Sequence, residues 1–445
     1  MKGLNREQKK AAGFTNGIAA VIAVPGSGKT LVMMERIGNL VKQYNVQPET
    51  IIGLTFNRNA AEQMRQRLVP VLGELAQRVT LSTIHSWCHY LLRTEGKVFE
   101  IISGKEQINM IRNLMKRKRL DLSVGTILSE ISLAKNNLIG VEEFRTLYES
   151  DKTMTKVANI YESYEKEKAK KYLLDFDDLL LETYFLLSDH EDIRNKYAGR
   201  YHHILIDEFQ DTNPVQLEII KLIVDTDNDH DKSYWIAGDD WQSIYSFAGA
   251  SVNNILNFQS TFSSSTLFIL NINYRSTPQI LKACQNLISH NVRKIEKTLK
   301  TDNPGGDEVI VLESSSEEGE ALCLVNEINE LIGQRGYQYK DIAVLYQANF
   351  QSRVVEETFA QMKIPYYIEN GLNFYQRSEV RYLLDYLRLI NDPDSEEGDE
   401  ALRSILNVPN RYISRKFLQE LAEFSGKTNV HLFEGLKSMP VDLPY

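Results

Sequence analysis

The sequence lacks any apolar run near the ~20 residues needed to span a bilayer, and its first dozen residues hold no signal-type apolar stretch. No membrane partner is expected, and the protein is expected to be cytoplasmic. Cysteine is scarce. Cys88, Cys284 and Cys323 lie far apart with neither CxxC nor Cys/His spacing, so they suggest no zinc or iron–sulfur framework and read as reduced thiols. An excess of positive charge is missing too: the formal net charge of -9 argues mildly against a nucleic-acid partner, although a binding groove depends on local basic residues. Internal repeats are absent. Residues 391–400, acidic and containing Pro and Gly, read as a solvated loop, and residues 438–445 as a frayed end.

What is present is a chain of 445 residues, 42% hydrophobic, long enough for roughly two to four domains. Residues 18–24 form a short β-rich apolar run that ends in Pro25-Gly26-Ser27-Gly28, and Leu31, Met34, Ile37 and Val41 then recur at helical spacing. The order is strand, loop, helix. Similar runs at 50–56, 203–206 and 234–237 also end in polar residues. Four buried strands with polar C-terminal ends predict a parallel, helix-covered α/β sheet whose ligands bind at that edge. From Trp87 to about Leu187 the pattern changes to long amphipathic helices, read as a helical insertion between strands of one sheet. Strand and helix signals return from Asn273, and residues 342–348 are the clearest buried strand of a second α/β unit.

Ala23 to Thr30 fits the phosphate-binding P-loop pattern except that Ala23 stands where the pattern has its first Gly. The physics survives that change. Around Pro25 and Ser27, Gly26 and Gly28 let backbone N–H groups turn onto phosphate oxygens. Lys29 supplies a charge to the β and γ phosphates, and Thr30 can ligate Mg²⁺. The strand at 203–206 delivers Asp207, suited to hold the metal through water, and Glu208, suited to deprotonate the attacking water. Together the two motifs predict a nucleoside triphosphatase.

The acids continue as Phe209-Gln210-Asp211-Thr212-Asn213-Pro214-Val215-Gln216. Other stretches follow in order: Leu4-Asn5 with Gln8, Thr55-Phe56-Asn57, Thr83-Ile84-His85-Ser86, Gly238 to Tyr245, Asn273-Tyr274-Arg275-Ser276-Thr277, and Gln351-Ser352-Arg353. On these motifs the sequence resembles the N-terminal part of superfamily 1 DNA helicases of the UvrD/Rep/PcrA type, over residues 1 to about 390, with a helicase IV-like third motif.

The resemblance implies P-loop (RecA-like) parallel sheets covered by helices, with helical insertions. Residues 1–88 and 188–270 would form the first motor domain around an insertion at 89–187. Residues 271–376 would form an incomplete second motor domain, and 377–445 the start of a second insertion. It implies that Gln8 reads the adenine edge, Tyr274 stacks on its ring, Gln242 senses the γ-phosphate, and Arg275 acts as an arginine finger. Phe56, His85, Tyr245 and Phe247 would contact DNA bases by stacking, the alternative for each being a core role. Lys116 to Arg119 could meet duplex phosphates or simply be solvated.

ATP and Mg²⁺ are the implied cofactors. Single-stranded DNA and its junctions with duplex are the implied partners, together with accessory repair or replication proteins. Leu31, Trp241 and Ala248 depart from the usual motifs, and no counterpart of the family's last two motifs is found. The implied activity is ATP-driven 3′-to-5′ movement and unwinding. A regulatory or loading subunit of a larger repair or defence complex is the alternative. A P-loop kinase or GTPase would need an acceptor site or a guanine-reading motif, and neither is visible.

Overall fold

A computed structural model describes residues 3–118, 122–224, 232–246, 249–368, 378–409 and 411–440. The chain folds as two compact units, Met1–Val309 and Ile310–Tyr445.

The first unit is organised by strands β1 (Gly17–Ala23), β2 (Ile51–Thr55), β3 (Thr80–Thr83), β4 (Glu100–Ile101), β5 (Leu173–Leu174), β6 (His203–Ile206), β7 (Ser233–Gly238) and β8 (Thr266–Leu270). Six of them form one all-parallel sheet in the order β3-β2-β6-β7-β1-β8, while β4 and β5 pair separately. The predicted parallel, helix-covered α/β sheet is therefore present, with all four expected strands at its centre.

Alternation along each strand explains why both faces are covered. Ile18, Ala20 and Ile22 of β1 join one core with Trp87, Leu91, Leu180 and Ile219 from helices on that face. Ala19, Val21 and Ala23 join the opposite core with Ala11, Met33, Ile37 and Leu68. Each fully buried Ile or Leu contributes about 1.5–3 kcal/mol, so this two-sided burial is what fixes the strand ends where the motifs sit.

Between β3 and β6 the chain is mainly helical, with helices at Ile84–Thr94, Gly104–Lys118, Val124–Asn136, Val141–Leu147, Lys152–Lys170, Phe176–Asp189 and Glu191–Arg200. Ile111, Ile131, Phe144 and Tyr164 form a core of their own there. In the basic run Lys118 is exposed, its Nζ donating to the Asn159 carbonyl at 2.7 Å, and Arg119 lies outside the described residues. Among the described residues no helix is long and apolar enough to cross a membrane.

The second unit is helical among its described residues, with small cores around Phe359 and around Leu421. The buried strand expected at 342–348 is not formed. Ile342 and Val344 pack on the Phe359 core, but Leu345 is 91% exposed, because among the described residues of this unit no strand lies beside the segment to accept its backbone hydrogen bonds. The loop expected at 391–400 is also corrected. Ser395 caps a helix at Glu396–Ile405, and Glu396, Glu397 and Asp399 fall in its first turn, where carboxylates favour the helix dipole.

Candidate nucleotide and DNA site

The helix Lys29–Lys42 starts after the loop 24–28 that leaves β1, and Gly28, its N-cap, has φ +83° with no side-chain cap. The opening N–H groups are thus left for an anion. Gly26 has φ +67°, and a Cβ there would lie 2.7 Å from Asn273 Nδ2 and 2.9 Å from Arg275 Cβ, so only glycine fits. The Oγ of Ser27 is buried without a partner inside this loop. Pro25 accepts a hydrogen bond at its carbonyl from Asn273 Nδ2 at 2.6 Å.

Strand β6 brings the acid pair to the loop. Lys29 Nζ donates to Glu208 Oε2 at 2.6 Å, and Thr30 Oγ1 donates to Asp207 Oδ2 at 2.9 Å. Burial pulls the Lys29 ammonium down, but Glu208 and Asp207 outweigh it and hold it above its ordinary value. Burial and then the charge of Glu208 push Asp207 up to about 6. Burial also opposes ionisation of Glu208, yet Lys29, Gln210 and the charge of Arg275 keep its carboxyl below the ordinary value. A lysine held by one acid beside a second acid that resists its own charge is an arrangement suited to receive phosphate oxygens and a divalent cation.

Gln210, 1% exposed, ties this pair to β7: its Nε2 donates to Glu208 Oε2 at 3.0 Å and its Oε1 accepts from Asp239 N at 2.9 Å. Gln242 stands in the turn after β7, its N–H donating to the Asp239 carbonyl at 2.9 Å. Lys297 locks the same corner. Its fully buried Nζ donates to Asp239 Oδ1 at 2.6 Å, Asp240 Oδ1 at 2.7 Å and the Ala23 carbonyl at 3.1 Å, and it lies 4.5 Å from the Trp241 ring centre.

On the other flank, Gln8 Nε2 donates to the Ser27 carbonyl at 2.9 Å while its Oε1 closes a capping box on Asn5. Asn5 Nδ2 donates to Tyr274 Oη at 2.7 Å, and Tyr274 N donates to the Gly26 carbonyl at 3.0 Å. Gln8, the phosphate loop, Tyr274 and Arg275 therefore converge on one edge of the sheet, all within the first compact unit.

Of the proposed base-stacking residues, Phe56 directly follows β2, His85 lies in the helix that directly follows β3, and Tyr245 lies in the segment after β7. Phe56 and Tyr245 rings stand 4.8 Å apart, tilted by 33°. Phe56 and His85 line a pocket whose floor includes Asp207, Glu208, Asp211 and Thr212, so the aromatic side and the acid pair share a wall. Burial lowers the His85 imidazole from its ordinary value, favouring a neutral ring. Phe247 and Ala248 lie outside the described residues.

Sequence reasoning missed three side chains that hold the site together. Gln210 and Asn273 sit inside quoted motifs, where their polarity beside the acids and the loop was the available signal. Lys297 sits in a charged segment with no distinguishing pattern.

A family model described as the UvrD/REP helicase N-terminal domain matches residues 4–263. The chain belongs to the UvrD/REP helicase family. The UvrD-like helicase C-terminal domain model matches residues 268–443 of this UvrD/REP-family chain. It is 34% identical to the ATP-dependent DNA helicase PcrA of Staphylococcus epidermidis over 98% of its own length and 60% of that protein. To the ATP-dependent DNA helicase PcrA of Bacillus subtilis it is 33% identical over 99% of its length and 60% of that protein. The chain thus spans about three-fifths of the length of these curated relatives.

Proposed function

We propose that this chain is the ATP-hydrolysing part of a DNA motor that acts on single-stranded DNA. The observation that carries the reading is the convergence of Lys29, Thr30, Asp207, Glu208 and the charge of Arg275 at one sheet edge, with the paired rings of Phe56 and Tyr245 beyond β2 and β7.

The reaction is ATP plus water to ADP plus phosphate. Lys29 leaves Glu208 for the β- and γ-phosphate oxygens, and backbone N–H groups after Gly26 hold the rest of the phosphate chain. Glu208, released, takes a proton from the attacking water. Arg275 meets charge developing on the transferred phosphoryl group with its planar fork, and Gln242 reports whether that group is still attached. Gln8 and Tyr274 frame the adenine. Thr30 and Asp207 fit a Mg²⁺ ion, since their oxygens already converge and burial leaves the Asp207 carboxyl above its ordinary value despite the charge of Lys29. When bound, the ion would supply charge neutralisation to the phosphate oxygens.

The aromatics let a strand stack without reading sequence, at about 1–3 kcal/mol per base. Movement in the 3′-to-5′ sense, unwinding at single-strand to duplex junctions, accessory repair or replication partners and work in the cytoplasm belong to the same proposal. So does the assignment of residues 271–376 to a second motor domain and of 377–445 to the start of a second insertion.

The test is binding of a labelled oligothymidylate followed by anisotropy, with duplex of equal length as competitor. Saturable binding that oligoadenylate competes for and duplex competes for poorly is expected. Binding of neither form would end the reading.

A further inference from the structure

Outside the phosphate site, one buried amide joins three elements. Asn136, 3% exposed, ends the helix Val124–Asn136. Its neighbour Lys135 is 1% exposed and meets Glu165 at 2.8 Å, Asp175 at 2.8 Å and Asp178 at 2.6 Å. Lys168 pairs with the same three acids. Those two cations fill the acid cluster and fasten this helix to Lys152–Lys170 and Phe176–Asp189, so the inserted helices form a fixed base.

From that base Asn136 reaches to the start of the helix Pro214–Ile223. Its Nδ2 donates to Ser132 Oγ and Asp177 Oδ1, each at 3.2 Å, and its Oδ1 accepts from Asn213 Nδ2 at 2.6 Å. Asn213 in turn caps the helix Pro214–Ile223 through Gln216 N at 2.9 Å, at the far end of the segment that starts with Asp207 and Glu208. The adjoining Thr212 carbonyl accepts from Ser251 N at 3.0 Å and Asn254 Nδ2 at 3.1 Å. Gly249, at φ +84°, packs so closely that a Cβ there would lie 3.2 Å from Asn136 Nδ2. The inserted helices, the acid-pair segment and the loop after Tyr245 thus meet at one side chain.

We propose that Asn136 is a positioning residue that links DNA occupancy beside Tyr245 to the Asp207–Glu208 segment through its hydrogen bond to Asn213. The inference rests on the reading of the chain as a DNA-coupled ATPase. Coupling between two sites requires an element that both sites bias, and a buried, fully partnered amide pair tolerates few alternative geometries. A shift of the 249–254 loop when a strand stacks on Tyr245 moves Gly249 against Asn136 and pulls on Thr212. The inserted helices do not yield, so the acid-pair segment must.

The test compares the affinity of a fluorescent ATP analogue with and without saturating oligothymidylate, in the wild type, Asn136→Ala, Asn213→Ser and the double variant. Asn213→Ser keeps a helix cap and removes only the amide, so it carries the test even where Asn136→Ala folds poorly. A wild-type ratio of ~5-fold or more is expected, against ratios within about twofold of one in every variant, with DNA-free affinity kept within about threefold. Variants that keep the wild-type ratio overturn the inference alone. A wild-type ratio of one overturns the DNA-coupled reading itself, and the inference with it.

Discussion

Replacing Glu208 with Gln separates two roles that the proposed function gives one side chain. Glu208 lies 2.6 Å from Lys29 Nζ, with the lysine side chain 10% and the glutamate side chain 33% exposed. A hydrogen bond to a charged group contributes about 1.5–3 kcal/mol, and partial exposure of Glu208 favours the lower end. Nucleotide must break this contact before Lys29 can reach the phosphates. Glu208→Gln removes the competing charge, so ATP-analogue affinity should rise by about tenfold, the equivalent of roughly 1.4 kcal/mol. The same change removes the base, so phosphate release should fall by about 10²–10⁴. The paired assay is an analogue titration beside a single-turnover phosphate-release measurement. Unchanged or weakened binding would refute the competition between Glu208 and nucleotide for Lys29, and release near the wild-type rate would refute the base assignment.

Arg275→Ala should lower turnover by ~10³ or more while moving nucleotide affinity far less, and a loss confined to affinity would contradict the finger role. Phe56→Ala and Tyr245→Ala should each cost about 1–3 kcal/mol of single-strand affinity, equally for oligothymidylate and oligoadenylate; a base-specific loss in the anisotropy titration would argue against stacking. His203, 3% exposed and bonded to Ser233, is held down to about 4 by burial and then by the charges of Arg36 and His202, against 6.5 when unfolded. The folded state resists protonation, so the stability involved is complete above 6.5 and is lost as pH falls toward 4, up to about 3 kcal/mol. Melting curves across that window should fall less steeply for His203→Asn, and parallel curves would count against the assignment.

The central sheet was legible because β1, β2, β6 and β7 are buried on both faces and read as continuous apolar runs. The strands β3 and β8 were not. Thr80–Thr83 alternates half-buried with buried residues and Thr266–Leu270 is mostly half-buried, since both stand at sheet edges where composition is mixed. In the second unit the apolar run at 342–348 had the composition of a strand, but pairing is a property of neighbours and not of the run itself. The same limit applies to the site. Residues of the P-loop motif follow fixed spacings on one turn, whereas Lys297 and Asn136 act across 57 and 77 sequence positions, on Asp240 and Asn213 respectively, which no local pattern encodes.

The most direct measurement is phosphate release by this chain with and without single-stranded oligonucleotide at saturating ATP and Mg²⁺. The account predicts DNA-stimulated turnover that Glu208→Gln and Arg275→Ala each abolish. Turnover that ignores DNA, or that survives either substitution, would contradict it.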